Sequence, residues 1–496
     1  EGMRDAGAYE IVMVDDGSSD GTREVLAGEM ARRPELRVVA LDRNHGQTAA
    51  FDAGFRAARG DVIVTMDAAR RELQGADILV SGGVIRGIGT DLGPADEVIG
   101  AQGCVVTPGL VNTHHHLYQS MTRAVPGGQD ALLFGWLRTL YPIWARMGPE
   151  EIRVSAQTGL AELALSGCSM TSDHLYLHPN GARLDDTIEA ATSVGLRFHA
   201  TRGAMSIGES AGGLPPDALV ERETDILKDC IRVIDAFHDP AEGAMIRVGI
   251  APCSPFSVSR DLMRDTALLA RDKGVMLHTH LAENNEDVAY SLEKFGCRPG
   301  QYAQDLGWTG EDVWHAHCVK LDAREINLFA QSGTGVAHCP SSNCRLGSGI
   351  APVRRMRDRG VRVGLGVDGS ASNDAAHLIS EARQAMLLQR VANGADAMSA
   401  RETLEIATLG GAQVLGRGDC GSLGTAKRAD IAIWDMTGVA NAGNWDPVAA
   451  LVLCAPQQVR DLFVEGRQIV RDGHLTTIDL ADIVRRQNRL ARALAG

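Results

Sequence analysis

The chain has 496 residues, 44% hydrophobic and 23% charged, with a net charge of -14. This is the composition of an ordinary globular protein and not of a disordered one. The acidic balance excludes a general nucleic-acid or anionic-membrane binder, which needs a basic face. No apolar run approaches the ~18 residues of a membrane-spanning helix. The polar opening from Glu1 to Glu10 lacks the apolar stretch of a secretory signal. The 10 cysteines form no CxxC pair, a usage expected of reduced thiols in the cytoplasm rather than of a disulfide framework.

In chain order, the first predicted elements are a strand over Tyr9–Val14, a turn through Asp15 to Gly21, a helix, and a second strand over Leu36–Leu41. A second helix then runs from Asn44, His45 and Gly46 toward Gly60 and Asp61. This β-α-β-α-β order opens a parallel sheet. The run Val14, Asp15, Asp16, Gly17, Ser18, with Asp20, Gly21 and Thr22, resembles family 2 glycosyltransferases, where it binds the nucleotide of a sugar donor. The resemblance stops at Asp67. A transferase would continue with a second aspartate for a metal-binding Asp-x-Asp, but Ala68, Ala69 and Arg70 follow. No acceptor half follows, and about sixty residues is small for an independent α/β domain. Residues 1–62 are therefore expected to be a truncated, non-functional glycosyltransferase-like fragment. Glycosyl transfer is the competing activity from a different class.

From about residue 63, short strands alternate with glycine turns at Asp77–Ser81, Val84–Ile88 and Cys104–Val106. A similar β-rich stretch returns at Ala429–Trp434 and Val459–Ile469. The flanks 63–106 and 415–475 are expected to build one small β-sandwich. Residues 107–414 alternate apolar strands with helices, enough for a (β/α)8 TIM-like barrel in an α/β protein. Residues 476–496 are expected to form a C-terminal amphipathic helix, apolar at Leu480, Ile483, Val484, Leu490 and Leu494 and capped by Asp479.

Four predicted strand ends carry the chemistry. In Pro108–His116, His114 and His116 share a strand face, while His115 points away and is read as structural. Two adjacent imidazoles suit a metal such as zinc. The second end, Val275–Glu283, brings His278, His280 and Glu283; the third brings His315 and His317; the fourth ends in Asp368. In a barrel these ends share the face that holds the active site. Core packing does not explain all of them together.

From about residue 63 onward the chain resembles the amidohydrolase superfamily, in its cytosine, guanine and hydroxytriazine deaminase branch. The motifs that carry the resemblance are P-G-x-[VI]-N-x-H-x-H at 108–116, H-x-x-E at 280–283, His317, Asp368 and the H-C-P-S-S-N loop from His338 to Gly349. Ala407–Ala412 and Gly421–Asp430 resemble the segment returning to the sandwich, with Ala426 standing where a glycine usually precedes Lys427. The resemblance implies one zinc ion per chain, held by His114, His116, His280 and Asp368, without a bridging carbamylated lysine. It implies attack by an activated water on a ring carbon that bears an amine. Glu283 would move a proton from the water to the ring nitrogen, Asp368 would carry the second proton to ammonia, and His317 would stabilise the alkoxide. His278 either supports the metal site from behind or packs in the core.

For the substrate, Gln119 matches a glutamine that holds the heterocycle in guanine-type deaminases. Arg202 is expected either to bind a ring carbonyl or to form a surface salt bridge. Ser172, Asp173, His174 and Tyr176 follow another strand, with His174 the expected substrate contact. Trp136 and Trp144 either cover the ring or pack in the core. Arg202–Met205 through Gly212–Asp217 is most similar to the 8-oxoguanine and hydroxyatrazine subgroup. The expected reaction is deamination of a free purine-like base, 8-oxoguanine to uric acid, with guanine and hydroxyatrazine as rivals. The expected partner is this small heterocycle, with no nucleic acid and no membrane, and a homodimer is the prior for the architecture. A zinc scaffold without catalysis would need neither Glu283 nor His317.

Overall fold

Eight parallel strands close a barrel: Leu110–Asn112, Cys168–Leu175, Arg197–Ala204, Ile246–Pro252, Met276–Leu281, Val313–His317, Gly335–His338 and Arg362–Leu365. They are called strands one to eight below. The structure is a computed structural model that describes residues 11–33, 36–43, 63–65 and 70–495. The TIM-like α/β architecture expected from the sequence is present. Helices cover the outside, so the strands are buried on both faces, polar residues included. All of Cys168–Leu175 and Arg197–Ala204 is buried.

One buried amide braces the seam where the barrel closes. Leu365 pairs with Asn112 across the seam, and Thr113 N donates to Leu365 O at 2.7 Å. Asn112 Nδ2 donates to Thr171 Oγ1, and Asn112 Oδ1 accepts from Val367 N, both at 2.9 Å. One side chain thereby ties strands one, two and eight, and so positions His114 and Asp368. The crossover helices follow local rules. Ser259 caps Arg260–Lys273 by accepting from Leu262 N at 2.9 Å, and Gly274 ends that helix at φ 66°. Asp322 and Glu325 form a reciprocal capping box on Ala323–Ser332.

The two flanks meet in one seven-stranded sheet, in the order His474–Leu475, Arg467–Arg471, Asp461–Val464, Ile431–Asp435, Cys104–Pro108, Ile63–Thr65, Glu72–Gln74. The hairpin Asp77–Ser81 and Val84–Gly89 is a separate sheet, and its Ile85 packs with Cys104, Val106, Ile431 and Ile433. The helix Leu480–Ala495 buries Ile483, Gln487, Leu490 and Leu494, and Asp479 Oδ1 accepts from Asp482 N at 3.0 Å. Val484, expected on the apolar face, is exposed.

Near the N-terminal side, Ile11–Asp15 and Leu36–Ala40 pair as parallel strands with the helix Thr22–Met30 between them. Asp15 accepts from Ser18 N at 3.0 Å and from Arg23 Nε at 2.7 Å. The expected helix before Gly60, and Asp67 with Ala68, lie outside the described residues. Among the described residues no helix is long and apolar enough to cross a membrane. The cysteines are all free thiols.

Candidate active site

The tautomers of the clustered histidines follow from the bonds at their outer nitrogens. His116 Nδ1 donates to His174 O at 2.8 Å, and His280 Nδ1 donates to Cys253 O at 2.5 Å. His278 Nδ1 donates to Trp314 O at 3.0 Å, so its Nε2 accepts from His114 Nδ1 at 2.8 Å. Each of His114, His116 and His280 therefore presents a lone pair at Nε2. These lone pairs converge. His116 Nε2 and His280 Nε2 are 3.0 Å apart, and Asp368 Oδ1 lies 3.3 Å from Nε2 of both His114 and His116. His114 Nε2 has no hydrogen-bond partner. Buried acceptors aimed at one another repel unless a cation lies among them. Burial holds the pKa of all three imidazoles below the ordinary value, that of His280 at about 3. The rings are thus neutral, and three imidazole nitrogens with one carboxylate fit a zinc ion.

Asp368 is held from its other side. Its backbone takes φ 61°, Gly369 N donates to Oδ1 at 2.7 Å, and the hydroxyls of Ser342 and Ser372 donate to Oδ2 at 2.5 and 3.3 Å. Oδ1 is left facing the imidazoles. His317 departs from the alternation of strand six. His315 faces outward, where its Nε2 donates to Trp308 O at 2.9 Å, and strand alternation would send His317 the same way. Left-handed φ values of 69° at His317 and 53° at Cys318 instead turn the ring into the barrel mouth. There His317 Nδ1 donates to Asn343 Oδ1 at 2.9 Å, and its Nε2 stands 3.7 Å from Glu283 Oε2 and 3.9 Å from Asp368 Oδ2. Burial opposes charge on His317, but Glu283 and Asp368 outweigh it and hold its pKa above the ordinary value. Burial pushes Glu283 up to about 7, against the pull of His317. A group with that pKa can both take and return a proton near neutrality.

The pocket over these groups has apolar and aromatic walls that include Trp136, Tyr141, Tyr176 and Phe256, and its floor contains His116, His280, Glu283, His317 and Asp368. Gln119 also lines it; Nε2 donates to Tyr118 Oη at 3.3 Å, while Oε1 has no partner.

Residues 105–469 match the Amidohydrolase family. The chain belongs to the amidohydrolase family. It is 44% identical over 403 residues to 8-oxoguanine deaminase of Pseudomonas aeruginosa, covering 81% of this chain and 90% of that protein. It is 39% identical to an isoxanthopterin deaminase from an unknown prokaryotic organism, covering 85% and 92% respectively. Atrazine chlorohydrolase from Arthrobacter aurescens TC1, solved with zinc, superposes with a TM-score of 0.83 at 35% identity, covering 87% of this chain and 99% of that one. This amidohydrolase is a zinc-dependent aminohydrolase of the purine and triazine deaminase type. A short second match, to Glycosyl transferase family 2, spans residues 3–68.

Within the amidohydrolase, the structure brings together His114, His116, His280, Asp368, Glu283, His317 and Gln119. Two expected substrate contacts lie elsewhere. Arg202 is buried and donates to Glu221 and Asp229, at 2.7 Å each, and does not line the pocket. The cause is strand parity. His199 faces the barrel interior, 5.2 Å from the Trp314 ring, so Thr201 faces inward and Arg202 outward. The salt-bridge alternative therefore holds, with a buried guanidinium and partly exposed carboxylates. His174 does not line the pocket either but belongs to the histidine cluster: it stacks on His280 at 4.8 Å, donates from Nε2 to Ala251 O at 2.8 Å, and offers a ring nitrogen within 4.8 Å of those of His114, His116 and His280. Trp136 covers the pocket, whereas Trp144 packs in the core and donates to Thr122 Oγ1 at 3.0 Å. Sequence reasoning missed the roles of Asn112, Ser342, Asn343 and Ser372. Ser342 and Asn343 lie in the recognisable loop from His338, but Ser372 had no separate signal.

Proposed function

We propose that this enzyme removes the 2-amino group of 8-oxoguanine, giving uric acid and ammonia. The observation that carries the proposal is the 44% identity to an 8-oxoguanine deaminase; the pocket adds Gln119, a buried amide whose Oε1 has no protein partner. A ring N–H would satisfy it, and a buried acceptor left unpaired costs about 1–3 kcal/mol. 8-Oxoguanine has a carbonyl at position 8 and an N7–H donor where guanine has an acceptor. Guanine also carries ring N–H groups, so Gln119 fits a lactam-bearing purine-like ring and does not by itself separate the two bases. The flat walls at Trp136, Tyr176 and Phe256 suit a planar ring.

A single zinc held by His114, His116, His280 and Asp368 supplies, when bound, a water that ionises near neutral pH and a positive charge beside the attacked carbon. Glu283 takes a proton from the attacking water and places it on the adjacent ring nitrogen. His317, oriented by Asn343, donates from Nε2 to the oxygen that forms on the attacked carbon. Asp368 takes the second proton and passes it to the amine, which leaves as ammonia. We assign this chemistry to residues 107–414, the flanking sheet to 63–106 and 415–475, and no catalytic part to residues 1–62 or 476–496.

The test compares kcat/KM for 8-oxoguanine, guanine, isoxanthopterin and hydroxyatrazine on one preparation, with zinc counted by elemental analysis. 8-Oxoguanine should lead by at least about tenfold, with about one zinc per chain. A tenfold lead by another base overturns the substrate. Two metals per chain, or zinc retained after His280→Ala and Asp368→Ala together, overturns the ligand set.

A further inference from the structure

We propose that a niche beside the active site binds ammonium, the protonated leaving group, on its way out. The proposal rests on deamination and not on which base is deaminated. A small cavity lies between the loop after strand five and the helix Asn285–Phe295, lined by Phe256, His280, Asp287, Tyr290 and Phe295. Phe256 and His280 also line the substrate pocket, so the two spaces share a wall. Tyr290 and Phe295 are half-buried.

Asp287 supplies the charge. It is 8% exposed, its Oδ2 accepts from Glu283 N at 2.8 Å, and its own N donates to Asn284 Oδ1 at 2.9 Å. Those bonds account for its place at the start of the helix. They leave Oδ1 buried with no partner, in a niche lined by no lysine or arginine among the described residues. The rings supply the walls. Phe256 and Tyr290 stand 6.1 Å apart at 70°, and Tyr290 and Phe295 stand 5.7 Å apart at 77°. An acceptor oxygen without a hydrogen-bond partner, beside aromatic rings, selects a small cation that donates hydrogen bonds. Ammonium does both: one N–H reaches Oδ1 while its charge lies against the rings. Ammonia leaving the neighbouring pocket acquires that charge on protonation at neutral pH.

The experiment measures melting of the zinc-loaded enzyme in ammonium, potassium and sodium chloride at equal ionic strength, and then ammonium inhibition during turnover. Melting needs no substrate, so a wrong base assignment leaves it unaffected. Ammonium at about ten times its Kd should raise Tm by about 2 °C over sodium. Asp287→Asn keeps an acceptor for Glu283 N but removes the charge; Tyr290→Leu keeps bulk but removes the ring. Each should abolish the shift and weaken ammonium inhibition by about tenfold or more, and Tyr290→Leu should keep its kcat at low ammonium. Equal melting in ammonium and sodium, potassium matching ammonium, or a shift that survives Tyr290→Leu would each overturn the proposal. If Asp287→Asn does not fold, Tyr290→Leu alone decides.

Discussion

At the barrel mouth, side chains from strands one, five, six and eight close to 3.0–3.9 Å of one another. In the N-terminal segment, Asp15 bonds to Ser18 and Arg23, which lie only 3 and 8 residues along the chain. The bond from His114 to His278 spans 164 residues. A turn makes bonds of the first kind wherever its sequence allows, and they satisfy their own atoms. Bonds of the second kind need the whole scaffold. At the mouth they leave His114 Nε2 and Gln119 Oε1 buried without partners, which is where a ligand gains most. Both regions carry recognisable motifs; among the described residues, it is the barrel mouth that gathers unsatisfied atoms around a shared space.

The largest effect expected is at Glu283. Glu283→Gln keeps the shape but cannot accept a proton, and kcat should fall by about 10²–10⁴ with zinc retained. In the unaltered enzyme Glu283, raised to about 7, holds below that pH the proton it must accept. kcat/KM should therefore fall about tenfold per pH unit on the acid side of that value. Turnover of Glu283→Gln near the normal rate, or an acid limb that persists in the variant, would move the proton transfer to another group.

A smaller effect is expected one layer behind the ligands. His278→Phe keeps an aromatic ring against Trp314, now stacked at 4.4 Å, but removes the acceptor for His114 Nδ1. His114 would then lose its fixed tautomer, and zinc affinity should fall about 10–100-fold in chelator competition. Unchanged affinity would make His278 a packing residue.

Strand parity made His114 with His116, and His278 with His280, legible as inward pairs; that His280 rather than His278 is a ligand, with Asp368 the fourth, came from the resemblance and not from parity. Arg202 stands at a strand end, but which face of strand three points inward was not legible, so the ring-carbonyl and salt-bridge readings both stayed open until the barrel register turned it outward. His317 was legible by motif and not by parity, since its φ of 69° overrides the alternation. The bonds that orient these groups were not legible. Asn112 meets Val367, and Ser342 meets Asp368, only after the barrel has closed.

Arg202 gives a prediction that separates stability from binding. Arg202→Met removes a buried cation, but Glu221 and Asp229 are partly exposed and Asp229 keeps Arg232, so the cost should be about 1–3 kcal/mol, seen as a lower Tm. KM on the folded fraction should not change, because the guanidinium does not reach the pocket. A raised KM with unchanged Tm would return Arg202 to the substrate.

The smallest effect is expected at the N-terminal segment, where its boundary matters. The short match to glycosyltransferases runs through residue 68, yet Ile63–Thr65 pairs in parallel with Cys104–Pro108 and antiparallel with Glu72–Gln74. Those three residues therefore belong to the sheet beside the barrel. Deleting residues 1–62 should leave zinc content, kcat and Tm unchanged. Deleting residues 1–70 also removes the strand next to Cys104–Pro108 and leaves that strand unpaired on one side, so Tm should fall while kcat of the folded enzyme holds. Loss of zinc or activity in the shorter deletion would show that the segment takes part in the working barrel. Equal Tm in both deletions would place the boundary beyond Thr65.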